Sequence, residues 1–182
     1  MANKYEYNDV GAEIYYNIYL ATWRAQTFTP SISHTLTAIK LAADRSDAAD
    51  PLGIINISIR AVDGDGKPTG VNLSTGTYDG TTLVLNSPFP FPWITINMTP
   101  VILVAGKTYA IVIDASTGDS MEVQGDQTQL YTGGTVWWST DSGSTWTEYA
   151  DNGDMLFEDW GDAVSFYSRA FVPRMIMLHK GR

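Results

Sequence analysis

Apolar side chains alternate with polar ones in several separate segments of this chain, and this two-residue period constrains the fold more than any other feature. Ile55, Ile57 and Ile59 are each separated by a single polar residue. The same period appears in the sets Ile39/Leu41, Ile94/Ile96/Met98 and Tyr109/Ile111/Ile113. Because successive side chains of a β-strand point to opposite faces of a sheet, each segment predicts a strand with one buried face and one wet face.

Turn-forming residues rich in Gly, Asp, Ser and Thr separate these strands. They lie at 63–68, 78–80, 116–119 and 132–134. The resulting spacing of about 8–12 residues is typical of antiparallel sandwiches and barrels. We therefore predict an all-β protein, an antiparallel two-sheet β-sandwich of the jelly-roll type.

The sandwich is predicted to occupy residues 25–161, between an N-terminal strand or arm at 1–24 and a C-terminal docking strand or tail at 162–182. Residues 41–50 have a helical composition, but Pro51 follows them, so at most one short helical turn is expected there.

The residue inventory excludes several classes of active site. The 182 residues include no cysteine and only two histidines, His34 and His179. The absence of cysteine excludes disulfides, thiol catalysis and cysteine-ligated metal. Two histidines far apart in sequence give a Ser-His-Asp triad little support, and no two carboxylates stand out as a glycosidase pair. We expect a protein that is not an enzyme and has no cofactor. Calcium remains an alternative to this expectation, because the chain has many acidic residues; its ligands would be Asp151, Asp154 or Asp159.

Charge is distributed unevenly along the chain, whose net charge is −9. Between Lys107 and Arg169 there are 11 acidic residues and no Lys or Arg. An acidic body repels phosphate backbones, and no apolar run reaches the roughly 18 residues of a membrane helix, so neither nucleic acid nor membrane is an expected partner. The last segment is basic and apolar, and its predicted docking residues are Arg169, Phe171, Arg174, Ile176 and Leu178.

Residues 139–146 read Ser-Thr-Asp-Ser-Gly-Ser-Thr-Trp and match the Asp-box pattern Ser-x-Asp-x-Gly-x-Thr-Trp. In this spacing the Asp carboxylate accepts hydrogen bonds from turn amides, the Gly adopts a positive φ, and the Trp packs beneath the turn. The motif is similar to the repeated, structural Asp boxes of sialidases and other propellers. A single copy in a chain of this length predicts a hairpin and not a propeller.

Aromatic residues around this hairpin are the candidates for ligand recognition, because flat aromatic faces beside carboxylates and amides suit sugars. The predicted ligand-binding residues are Tyr131, Trp137, Trp138, Asp141 and Trp146, with Gln127 and Gln129 as further acceptors. The alternative for the same aromatic residues is packing in the core or under the hairpin. Adjacent Trp137 and Trp138 must point to opposite faces if they belong to one strand.

Three segments stand in order along 25–161: Ala25-Gln-Thr-Phe-Thr29, Gly66-Lys-Pro-Thr-Gly70, and Tyr131-Thr-Gly-Gly134 continuing through Trp146 to Glu158. Together they resemble a jelly-roll module of surface-anchored and phage-associated proteins, similar to carbohydrate-binding modules. The resemblance implies a β-sandwich and no catalytic set, and it does not fix a ligand.

The functional hypothesis is a non-enzymatic structural protein of the virion of a tailed phage, as a capsid decoration or tail-associated surface component. It combines a sandwich of extracellular type with an N-terminus that lacks the apolar region of a signal peptide. Synthesis in the host cytoplasm and release by lysis would need no export signal. The expected partners are other virion proteins and copies of the chain itself, with a terminal segment, 14–20 or 166–178, buried between chains. The alternative is a carbohydrate-binding module or adhesin that uses 131–146, with host surface glycans as partners.

Overall fold

Strands make up nearly all of the regular structure in this computed structural model, which describes residues 2–11, 13–46, 52–115, 120–128, 131–149 and 153–164. Within those ranges there is one short 3₁₀ turn, Gly80–Thr82, and no α-helix. No helix in the described part of the chain is long and apolar enough to cross a membrane.

The strands, in chain order, are β1 (Asn3–Asn8), β2 (Ile14–Ile18), β3 (Trp23–Phe28), β4 (His34–Arg45), β5 (Ile54–Val62), β6 (Pro68–Asp79), β7 (Trp93–Leu103), β8 (Tyr109–Asp114), β9 (Met121–Asp126), β10 (Val136–Ser139), β11 (Thr147–Glu148), β12 (Asp154–Met155) and β13 (Phe157–Ala163).

These strands form two antiparallel sheets. The first sheet has the order β1-β13-β4-β9-β12. In addition, β7 pairs with the edge of β4 that is opposite β13, and β2 pairs with β9. The second sheet has the order β11-β10-β3-β8-β5-β6. Side chains of both sheets meet in one buried cluster, in which Phe28 of the second sheet lies 5.8 Å from Phe157 of the first, measured between ring centroids. The predicted all-β, two-sheet sandwich is therefore confirmed, whereas this strand order does not establish a jelly-roll winding.

The period-two strands have the burial that their patterns predict. Ile55, Ile57 and Ile59 are buried in the core between the sheets, as are the apolar members of the other alternating sets. Ser58 of β5 departs from simple alternation, because it is also buried. β8 departs from it more fully, since Ala110 and Val112 are buried as well. They lie on the face of the second sheet that is turned away from the core, where aromatic side chains from the β10–β11 region cover them. We call this the outer face of the second sheet.

The N-terminal segment is part of the sandwich and not an arm outside it. β1 pairs with β13, β2 pairs with β9, and the predicted boundary at residue 25 falls inside β3. The apolar face of β2 is covered within its own chain, since Tyr16 and Ile18 are buried in the core. The basic C-terminal docking residues predicted above lie outside the described residues.

Within 41–50, where at most one short helical turn is expected, the residues that the structure describes form strand and no helical turn. Leu41 to Arg45 continue β4, held by cross-strand pairing to β9 and by the hydrogen bond from the Arg45 amide to the Val84 carbonyl, 3.0 Å. The Asp44 carboxylate also accepts a hydrogen bond from the Ser87 amide, 2.7 Å. Tertiary pairing overrides the helical propensity of this alanine-rich stretch.

Candidate ligand-binding face

The Asp box forms the predicted hairpin between β10 and β11. The Asp141 carboxylate accepts hydrogen bonds from the Thr145 amide (2.8 Å) and the Thr145 hydroxyl (2.7 Å). It also accepts one from the Ser139 hydroxyl, 2.7 Å. The turn itself needs a left-handed backbone, with φ of 57° at Ser142 and 77° at Gly143.

These contacts assign the Asp141 carboxylate to the turn. The hydrogen bonds from the Thr145 amide and hydroxyl, followed by that from Ser139, lower the pKa of Asp141 to about 2. Both of its oxygens are engaged within the hairpin. Asp141 therefore shapes the loop and has little capacity left to bind a ligand.

The four aromatic residues predicted to bind a ligand do not share one surface. Trp137 and Trp146 pack together on the outer face of the second sheet. Trp138 pairs with Arg24, whose guanidinium lies 6.0 Å from the Trp138 ring centroid. Tyr131 packs edge-on against Phe157 of the core, and its hydroxyl accepts a hydrogen bond from the Thr29 amide. Of the predicted site residues, the structure thus brings together Trp137 and Trp146 beside the Asp141 hairpin.

A groove of about 410 Å³ lies on the outer face of the second sheet. Its lining combines one aromatic ring with charged, amide and hydroxyl side chains, contributed by β3, β5, β6 and β8. These side chains are Trp23, Asn56, Ser58, Arg60, Asn72, Thr75, Thr77 and Asp114. We call it the Trp23 groove.

The polar groups of the Trp23 groove are held in place by one another. Arg60 Nε donates a hydrogen bond to Asn72 Oδ1 (2.9 Å), and its guanidinium lies 5.7 Å from the Trp23 ring centroid. Burial lowers the pKa of Arg60 from its ordinary value, against the attraction of the Asp114 carboxylate. Asn56 Nδ2 donates to Asp114 Oδ2, 3.4 Å. The groove therefore presents fixed hydrogen-bonding groups, which reduces the ordering cost of binding.

Among the side chains that line the Trp23 groove, two have a polar atom that is buried and has no hydrogen-bond partner among the described residues. They are Asp114, with the acceptor Oδ1, and Trp23, with the donor Nε1. Leaving such groups unsatisfied costs about 1–3 kcal/mol each. A hydroxyl group both donates and accepts, so a ligand rich in hydroxyls has the chemistry to satisfy the two atoms.

A second, smaller depression of about 300 Å³ lies between the β5–β6 turn and the Asp-box hairpin. It is lined by Asp63, Lys67, Pro68, Thr69, Ser144, Thr145 and Trp146. We call it the rim depression. Trp146 is the one predicted ligand-binding residue that lines either depression.

Two of the three carboxylates considered as calcium ligands have other partners. Asp154 accepts a hydrogen bond from Gln26 Nε2 (2.8 Å), and burial raises the pKa of Asp154 to about 6. Asp159 forms an ion pair with His34, and Asp151 lies outside the described residues. In the described ranges, no group of three or more His, Asp or Glu side chains is arranged to hold a metal ion.

The sequence predicts only part of the Trp23 groove. The two-residue period of β5 places Asn56, Ser58 and Arg60 on the face opposite Ile55, Ile57 and Ile59, but it does not indicate that this face is concave. Trp23 and Asp114 lie 91 residues apart and meet only because β3 and β8 are neighbours in the second sheet. Comparison with protein-family models and with curated proteins finds no match to this chain.

Proposed function

We propose that this chain is a non-enzymatic binding protein whose ligand is a carbohydrate, held in the Trp23 groove. The observation that supports this most directly is that two side chains lining the same groove each have an unsatisfied polar atom, Asp114 Oδ1 and Trp23 Nε1. One group needs a donor and the other an acceptor, and neighbouring sugar hydroxyls supply both.

The surroundings of this pair fit a sugar as well. The Trp23 ring offers an apolar surface for the C–H face of a pyranose, and Arg60, Asn56 and Asn72 supply donors and acceptors along the groove. The volume of about 410 Å³ lies within the range of small-molecule sites. Because the groove lies on paired strands rather than on loops, its geometry is set by the sheet.

Substitutions in the Trp23 groove test this proposal. A glycan array identifies the bound class, and titration calorimetry with that glycan measures affinity. We expect Trp23→Ala to weaken binding about thirtyfold or more, because truncating a central aromatic contact costs about 2 kcal/mol or more. Asp114→Asn should weaken binding by a smaller factor, since it changes one hydrogen bond while keeping the shape of the side chain. Trp23→Phe should also cost less than Trp23→Ala, because it loses the Nε1 donor and part of the indole but keeps an aromatic ring.

Trp93→Ala is the matched control. Trp93 is a partly exposed tryptophan on β7 of the first sheet and lies outside both depressions. Its loss should leave glycan affinity unchanged, and thermal unfolding of each variant shows whether it is folded. Absence of binding to any glycan, or equal affinity for wild type and folded Trp23→Ala, would contradict the proposal.

We further propose that this binding protein is a surface component of a phage virion, with residues beyond β13 attaching it to the particle. The support is the reversal of charge after Asp162, where four basic residues and no acidic ones follow. Since β13 ends at Ala163, deletion of 165–182 removes no residue of the described strands. The truncated protein should retain glycan binding and lose association with phage particles in a sedimentation assay. Normal co-sedimentation of the truncated protein would contradict this attachment.

A further inference from the structure

We propose that the ligand is a neutral glycan chain, and that it continues from the Trp23 groove past the Asp-box hairpin into the rim depression. This inference rests on the proposed carbohydrate binding and adds to it the length, the charge and the path of the ligand. It also gives the Asp box a role, as the element that shapes the boundary between two neighbouring subsites.

The same two paired strands connect the two depressions. On β5, Arg60 lines the Trp23 groove, and Asp63, just beyond the end of the strand, lines the rim depression. On β6, Asn72 lines the Trp23 groove and Thr69 lines the rim depression. Three residues of fully extended strand span about 10 Å, and β6 is bulged between Thr69 and Ser74, so 10 Å is an upper limit. The two depressions are therefore neighbours on one surface.

The Asp-box hairpin contacts the aromatic ring of each depression. A Cβ atom on Gly143 would lie 2.8 Å from ring atoms of Trp23 and 3.4 Å from a ring atom of Trp146. The backbone at the tip of the hairpin therefore rests against both rings. Only glycine allows this approach together with a φ of 77°. The hairpin thus holds Trp23 and Trp146 in fixed positions on either side of its tip.

The charges of the two depressions favour a neutral ligand. The charged side chains that line the Trp23 groove are one base and one acid, Arg60 and Asp114. Those that line the rim depression are again one base and one acid, Lys67 and Asp63. Neither subsite has an excess of positive charge, and the net charge of −9 opposes a polyanion. A neutral polyhydroxyl chain, by contrast, can hydrogen-bond to both members of each pair.

The test is the dependence of affinity on ligand length in the full-length protein. The probes are maltose-, cellulose- and chitin-series oligosaccharides of one to six units, titrated by calorimetry. For the series that binds, we expect affinity to rise about tenfold or more from the monomer to the longest oligomers, as one additional set of contacts worth about 1.4 kcal/mol would produce. Thr69→Arg fills the rim depression with a long side chain from an exposed position. It should remove the gain with length while leaving the affinity for the monomer unchanged.

Thr95→Arg is the matched control, since Thr95 is an exposed threonine on β7 of the first sheet. It should keep the full gain with length. If the wild type binds the monomer as tightly as the hexamer, or if Thr69→Arg keeps the gain, the two-subsite inference is overturned while the proposed carbohydrate binding stands. If a sulfated or carboxylated glycan such as heparin or alginate binds more tightly than every neutral series, the inference that the ligand is neutral is overturned. Failure of all glycans to bind overturns both proposals.

Discussion

Asp159→Leu is expected to lower the free energy of unfolding by about 3–5 kcal/mol, because it removes one member of a buried ion pair. Asp159 Oδ2 lies 2.7 Å from His34 Nε2, and both side chains are 0% exposed. His34 Nδ1 lies 2.8 Å from the carbonyl oxygen of Ile32, which can only accept a hydrogen bond, so Nδ1 holds a proton. Tyr5 of β1 stacks on the imidazole at 3.9 Å. Without Asp159, the proton on Nε2 has no acceptor in a site that excludes water.

Two further variants separate loss of the pair from loss of packing. Asp159→Asn keeps the shape of the side chain and can donate to a neutral His34, so it should destabilise the protein less than Asp159→Leu. The double variant His34→Leu/Asp159→Leu removes both polar partners and should recover much of the loss, as apolar replacements of buried pairs do. Chemical denaturation measures these variants and the single variant His34→Leu. If the double variant loses as much stability as Asp159→Leu and His34→Leu together, the pair is not coupled.

The same pair predicts a fall in stability as the pH rises above 6.5. Burial by itself would lower the pKa of His34, but the Asp159 carboxylate and the Ile32 carbonyl outweigh it and raise that pKa above 6.5, with Glu6 acting in the same direction. The contribution of His34 is therefore fully present below pH 6.5 and is lost as pH rises through the pKa of the folded state. Because a single proton is involved, the free energy of unfolding changes by no more than about 1.4 kcal/mol per pH unit. The double variant His34→Leu/Asp159→Leu should lack this pH dependence.

The sequence predicted the fold class because burial in a sandwich follows from local alternation. Ile55, Ile57 and Ile59 need only the two-residue period to be assigned to one face, and the structure buries all three. The Asp-box hairpin was predictable for a similar reason, since every hydrogen bond of the Asp141 carboxylate is made within 139–145. Interactions within a few residues can be read directly from a sequence.

The candidate site could not be predicted in this way, because its members meet through strand order. Trp23, Arg60 and Asp114 belong to β3, β5 and β8, which become neighbours only once the second sheet has formed. Asp159 likewise looked like one acid among many in an acidic segment. It is distinguished by the pairing of β13 with β4, which brings it into the same buried region as His34. For the aromatic residues of 131–146 the sequence leaves ligand binding and packing as alternatives. Tyr131, Trp137 and Trp138 line neither depression, and Tyr131 packs against the core.

Phe157→Ala is expected to lower the free energy of unfolding by about 3–5 kcal/mol, because it leaves a cavity at the centre of the sandwich. Phe157 is fully buried on β13 of the first sheet. Its ring centroid lies 5.8 Å from that of Phe28 on the second sheet and 5.2 Å from that of Tyr131. The side chain therefore connects the two sheets, and no neighbouring side chain can fill its volume without leaving its own packing.

Phe89→Ala is the control for this prediction, since it deletes the same side chain from a position that is 44% exposed. It should cost no more than about 1 kcal/mol, because part of the ring is already in water and little cavity is formed. Equilibrium denaturation in guanidinium chloride measures both variants, and an unchanged m value shows that the same surface is exposed on unfolding. Equal losses for Phe157→Ala and Phe89→Ala would contradict a shared core between the sheets. Glycan affinity should be unchanged in Phe157→Ala below its unfolding transition, because Phe157 lies in the core and the Trp23 groove lies on the outer face of the second sheet.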